Sequence, residues 1–100
     1  MTTVYNHDLA LYDMDTGRDL RRPLEECLPP QLETDHAYPF AKPGHRNYLP
    51  EVPVTLMEIK KDEVLFDMKA LVRVVHSRFE LRDGKAYTTG TFVVRELLNS

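Results

Sequence analysis

From Val64 onward the chain alternates. Val64, Phe66, Met68, Ala70, Val72 and Val74 fall on one side of an extended backbone, with Asp67, Lys69 and Arg73 on the other. Leu65, Leu71 and Val75 interrupt the polar side. A period of two favours strand over helix, because successive strand side chains point to opposite faces. A helix over 63–75 is the competing expectation, since Leu65, Met68 and Val72 also keep helical spacing. Just upstream, Val54-Thr-Leu-Met-Glu-Ile59 reads as another strand, ended by Lys60-Lys61-Asp62-Glu63.

Asp83-Gly84 sits between two further apolar runs. A two-residue Asp-Gly loop prefers the type I′ turn, whose twist matches that of the strands it joins. The implied register pairs Leu81 with Ala86, Phe79 with Thr88, Ser77 with Gly90 and Val75 with Phe92 as a core face. Glu80/Tyr87, Arg78/Thr89 and His76/Thr91 fall on the opposite face, joined near the open end by Val74/Val93. That end is then apolar on both sides and needs a cover, either from the chain itself or from a second subunit. A straight strand over 64–81 would reach about 60 Å at roughly 3.3 Å per residue. A domain of this size is only about 30 Å across. The strand must therefore bend or bulge, most simply near Met68–Leu71.

The N-terminal part predicts a short hairpin. Val4-Tyr5 and Leu9–Tyr12 have strand composition, Asp13-Met-Asp-Thr-Gly17 reads as a turn, and Arg18–Arg21 as the returning strand. Pro23 suits the start of one short helix over 23–28, which Pro29-Pro30 stops. All seven prolines lie between positions 23 and 53. The segment 29–53 therefore reads as a long proline-rich arm, excluded from helix and from sheet interior because proline lacks the N–H. The expected fold is mostly β, either β or α+β, with an antiparallel sheet over 54–98. One hundred residues make a single domain, 1–100.

Charge and composition narrow the function classes. The net charge is −3, with eight carboxylates against three arginines in 1–35 and eight against ten Lys or Arg in 36–100. Such asymmetry points to a polar contact surface and not to a nucleic-acid footprint, which needs clustered cations. No run approaches the roughly 18 apolar residues of a membrane-spanning helix. The first residues lack a basic segment followed by an apolar stretch, so no signal peptide is expected. The single cysteine, Cys27, cannot form an internal disulfide, and a cytoplasmic setting is the expectation.

No phosphate loop, dinucleotide glycine pattern, nucleophile elbow or CxxC is present. Asp13-x-Asp15-x-Gly17-x-Asp19 resembles a calcium loop only in its first positions, because Gly17, Arg18 and Leu24 stand where a ligand, a glycine and a bidentate Glu belong. The four histidines lack short metal-ligand spacing, so neither metal nor cofactor is expected. Glu25 and Glu26 beside Cys27 disfavour a thiolate, and the residue reads as a small buried hydrophobe.

Two groups of residues remain as contact candidates. The arm carries Tyr38, Phe40, His45, Arg46 and Tyr48, side-chain types enriched at interface hot spots, on a backbone that prolines stiffen. An ordered crossover whose aromatics fill their own core fits the arm equally well. The hairpin offers a polar sheet face of His76, Arg78, Tyr87, Thr89 and Thr91. The leading expectation is a non-catalytic protein-binding or accessory protein acting through the arm and an exposed sheet edge or face. Its expected partner is a protein, with a homo-oligomer, and a dimer before larger forms, in first place. A structural subunit of a larger assembly, a viral one included, comes second. A small enzyme using His76 or His45 as acid–base, with Arg78 or Arg46 holding an anion, comes third.

Overall fold

The computed structural model describes residues 5–50, 52–60 and 67–98. Asp83 and Gly84 both take positive φ, 50° and 78°, as a type I′ turn requires. The turn joins β4 (Asp67–Arg82) to β5 (Lys85–Leu97). All the predicted pairs from Arg82–Lys85 down to His76–Thr91 are present. There the expected register stops. Val75 is an extra residue in β4, so Phe92 pairs with Val74 and Val93 with Arg73. Lys69 is a second extra residue, against β3 (Val54–Ile59), and Arg95 a third, in β5. Bulges bend and twist a strand, which is how so long a strand fits. The stretch 67–75 is strand, which overturns the helical alternative there, and 64–66 lie outside the described residues.

The protein is mostly β. Five strands lie in the order β1-β3-β4-β5-β2, with β1 (Asp8–Tyr12) parallel to β3 and the other neighbours antiparallel. The expected antiparallel sheet of the C-terminal half is present as β3-β4-β5, and β1 and β2, added at its two sides, make the whole sheet mixed. The expected N-terminal hairpin is replaced. After β1 comes α1 (Met14–Asp19), capped by Asp13, whose Oδ1 accepts the Thr16 N–H at 2.7 Å. An Asp cap followed by Gly17 packed against Cys27 outweighs the turn signal, because a side chain at Gly17 would overlap the Cys27 sulfur. The predicted short helix over 23–28 is a single 3₁₀ turn, Leu24–Glu26. It ends early because Cys27 is already extended and bridges to Tyr12.

The proline-rich arm is also not a free connection. Its residues 37–43 form β2 (Ala37–Pro43), paired with β5 from Ala37–Val93 to Pro43–Tyr87. Proline is tolerated because β2 is an edge strand. The bonds from Gly44 N–H to Ala86 and from Val94 N–H to His36 turn the even-numbered residues toward β5. Pro39 and Pro43 therefore face the free edge, where no donor is needed.

The sheet curls until its outer strands face each other. Lys42 on β2 donates from Nζ to the carbonyl of Ala10 on β1 at 2.6 Å. Leu9, Leu11, Val54, Leu56, Ala70, Val72, Val74, Phe92 and Val94 line the inside, completed by Leu28, Phe40 and Tyr48. The bulge at Val75 lets Val74 join this set in place of Val75, which is exposed.

Candidate protein-interaction site

The arm aromatics belong to the protein's own core. Phe40 and Tyr48 are buried, with ring centroids 5.8 Å apart at 84°, and Phe40 also lies 6.2 Å from Phe92. Tyr38 is half-buried, 5.6 Å from Phe92, and its hydroxyl donates to the Gln31 carbonyl while accepting the Glu33 N–H. Alternation along β2 and closure of the sheet end by 44–48 turn these rings inward, so as contact residues Phe40 and Tyr48 are corrected to core residues. Arg46 is tied down through its backbone N–H, donated to Thr88 Oγ1 at 2.9 Å. His45 is exposed and stacks on Phe79 at 4.5 Å and 16°.

The polar residues of the hairpin come together as the register requires. His76, Arg78, Tyr87, Thr89 and Thr91 share one face, although Thr89 is buried where β2 and the 3₁₀ turn close over it. A shallow groove of about 180 Å³ runs between His76, Arg78, Arg82, Glu25 and Pro39. The carboxylate of its lining, Glu25, is engaged: Arg82 holds it at 3.0 Å and also holds Glu80 at 2.6 Å. The His76 ring meets the Thr91 hydroxyl at 3.2 Å and not a carboxylate. Arg78 is 74% exposed and reaches Glu80 only at 3.5 Å, leaving it the most available cation of this face.

The three sheet edges differ. On β1 the outward carbonyls of Asp8, Ala10 and Tyr12 accept from Tyr48 Oη (3.0 Å), Lys42 Nζ (2.6 Å) and the Leu28 N–H (2.7 Å). On β2 two of the outward positions are proline. Both edges are thereby closed to a further strand. β4 is different, because β3 covers it only as far as Val72. From Arg73 to Arg82 no described strand lies on that side. Because Arg82–Lys85 flanks a two-residue turn, the even positions from His76 to Arg82 bond to β5. Ser77, Phe79 and Leu81 consequently turn their N–H and C=O outward. On the inner side of this edge Phe79 and Leu81 remain 54% and 75% exposed, with only His45 stacked on Phe79, and Val75 at the bulge is 44% exposed. The expected core face of Phe79 and Leu81 is therefore surface. The sequence offers six strand residues at 54–59 against a much longer run beyond Val64, but not the alignment of the two that leaves this edge open.

The closed seam carries the buried ionisable groups Lys42, Tyr48 and Cys27. Burial, and then Arg46, lower Lys42 to about 8, while burial raises Tyr48 to about 12. The Glu26 carboxylate is buried beside them, takes no hydrogen bond, and has Arg22 at 3.7 Å. The Cys27 thiol is pushed up from 9.0 by burial and by Glu26 and Asp13. Between pH 8 and 10.5 the unfolded chain keeps a proton that native Lys42 releases, so this group raises stability as pH rises. Cys27 opposes it from pH 9, and Tyr48 from pH 10 to 12, because each holds a proton that the unfolded chain has lost. Denaturant titrations should therefore show stability rising by about 1 kcal/mol from pH 8 to 9, levelling, then falling above 10. Lys42→Met should abolish the rise, and a wild-type decline that begins at pH 8 would contradict the buried ammonium.

An apolar cleft of about 410 Å³ lies between Leu24, Leu28, Pro30 and Tyr38. Glu25 is the one charged residue of its lining, so it lacks the convergent polar groups of a catalytic pocket. Among the described residues no group of three or more His, Cys, Asp or Glu is placed to hold a metal. Nor is any helix among them long and apolar enough to cross a membrane. No protein-family model, curated protein or solved structure matches the chain.

Proposed function

We propose that the protein is a small non-catalytic binding module that takes up a protein partner by strand addition to the open edge of β4. One observation carries the reading. Two edges of the sheet are closed by caps and prolines, while Arg73–Arg82 has no described strand on its outer side and lies beside exposed Val75, Phe79 and Leu81. In strand addition, main-chain bonds supply affinity and alternate side chains supply specificity. The polar groove with Arg78 lies on the other face of the same strand, where it would set orientation. The cytoplasm is the proposed setting.

Photocrosslinking in cells from p-benzoylphenylalanine at position 79 tests this, with position 20 on α1's exposed flank as control. Adducts should form at 79 and be lost with Ser77→Pro, which removes an outward donor without breaking a bond to β5. Leu81→Lys should reduce them too, and its fold is safe because Leu81 is already exposed. Adducts at 79 that survive both substitutions, or that form equally at 20, would overturn strand addition.

A further inference from the structure

We infer that the strand added to β4 is the β4 of a second copy, antiparallel, with the two-fold axis at Phe79. This rests on the strand-addition reading and names its partner. Between His76 and Arg82 only the odd-numbered residues turn their backbone groups outward, so hydrogen-bonded pairs across the axis must join odd positions to odd positions. Centring on Phe79 does so: Phe79 meets the partner's Phe79, and Ser77 meets the partner's Leu81. A sheet two-fold makes each contact twice, so the edge must complement itself.

Charge selects this register over its neighbours. With the axis at Phe79, Arg78 lies opposite the partner's Glu80 and Glu80 opposite the partner's Arg78. Moving the axis to Arg78 sets Arg78 against the partner's Arg78. Moving it to Glu80 sets Glu80 against the partner's Glu80 and Arg78 against the partner's Arg82. Like charges directly opposite are destabilising, whereas opposite charges contribute. Arg78 is free to take the new carboxylate, since it is 74% exposed and its own contact with Glu80 is 3.5 Å long. His76 falls opposite the partner's Arg82, whose charge Glu25 and Glu80 already balance. The apolar side chains Phe79 and Leu81 of both copies then share the inner side of one continuous sheet.

Sedimentation of the full chain across a concentration series tests the register by charge. The wild type should dimerise. Arg78→Glu faces two carboxylates against two, and should weaken the dimer roughly tenfold or more. Glu80→Arg should weaken it similarly, and an equimolar mixture of the two variants should recover a heterodimer of near wild-type affinity. The double variant Arg78→Glu/Glu80→Arg should also recover, which excludes misfolding as the cause of the single losses. A wild type that stays monomeric throughout would overturn the second copy as partner, while the crosslinking at position 79 judges strand addition separately. A dimer indifferent to all these changes would overturn the register and the β4–β4 contact together.

Discussion

Phe40→Ala is expected to destabilise the protein by roughly 3–5 kcal/mol, the range for truncating a fully buried phenylalanine. Phe40 is 1% exposed and lies between Tyr48 and Phe92, on a strand whose prolines at 39 and 43 leave its backbone little freedom to collapse into the void. In a chain of this size such a loss lowers Tm by about 15 °C or more. It is also a large share of the roughly 5–15 kcal/mol that holds a small domain together. Thermal unfolding followed by circular dichroism measures it. A phenylalanine on a contact surface behaves otherwise, since surface substitutions stay within about 0.5 kcal/mol. A Phe40→Ala protein with unchanged Tm and weakened partner binding would return the arm to the surface and contradict the curled sheet.

Gly90→Ala should cost about 3 kcal/mol, although alanine normally stabilises a position that glycine leaves loose. A Cβ at Gly90 would overlap the His76 carbonyl oxygen and lie 3.0 Å from the Ser77 Cα. These are backbone atoms that cannot swing aside. The crowding comes from the extra residue Val75, which pushes the next carbonyl of β4 over the β5 backbone. Relieving it means flattening the bulge, and that would turn Val74 out of the core and Val75 in. Chemical denaturation of Gly90→Ala, with Thr91→Ala beside it as a control, reads the effect. Equal stability of Gly90→Ala and the parent would show that the bulge yields at little cost, and would remove the reason why Val74 and not Val75 lies in the core.

Local features were legible in the chain and non-local ones were not. Asp83-Gly84 specifies its own turn because two adjacent residues must both take positive φ, and the register followed from it for as long as no bulge intervened. At Val75 it failed by one residue, which is enough to exchange the faces of a strand. Gly90 was the available clue, because a strand glycine marks close backbone approach, but its meaning depends on a neighbour across the sheet. The need for a bend was foreseen from strand length, and the bends fell at Lys69, Val75 and Arg95.

The proline arm was misplaced for a similar reason. Its lack of donors was plain, but only the pairing with β5 shows that the missing N–H groups fall on an edge. Likewise Asp13 has the composition of a turn and the geometry of a cap, and the packing of Gly17 on Cys27 decides between them. The polar group His76, Arg78, Tyr87, Thr89 and Thr91 was found by register alone, because it lies within reach of the turn. The open edge beside it was not, since which strand outlasts its neighbour is a property of the whole sheet.

Amide-resolved hydrogen exchange of the associated protein tests that edge most directly. A strand added to β4 bonds the outward amides and leaves the inward ones as they were. Ser77, Phe79 and Leu81 should exchange quickly in the dilute chain and slow by tenfold or more on association, while His76, Arg78 and Glu80, already bonded to β5, should change little. Protection already present at these three amides in the isolated chain, or association that leaves them exchanging freely, would contradict strand addition at β4.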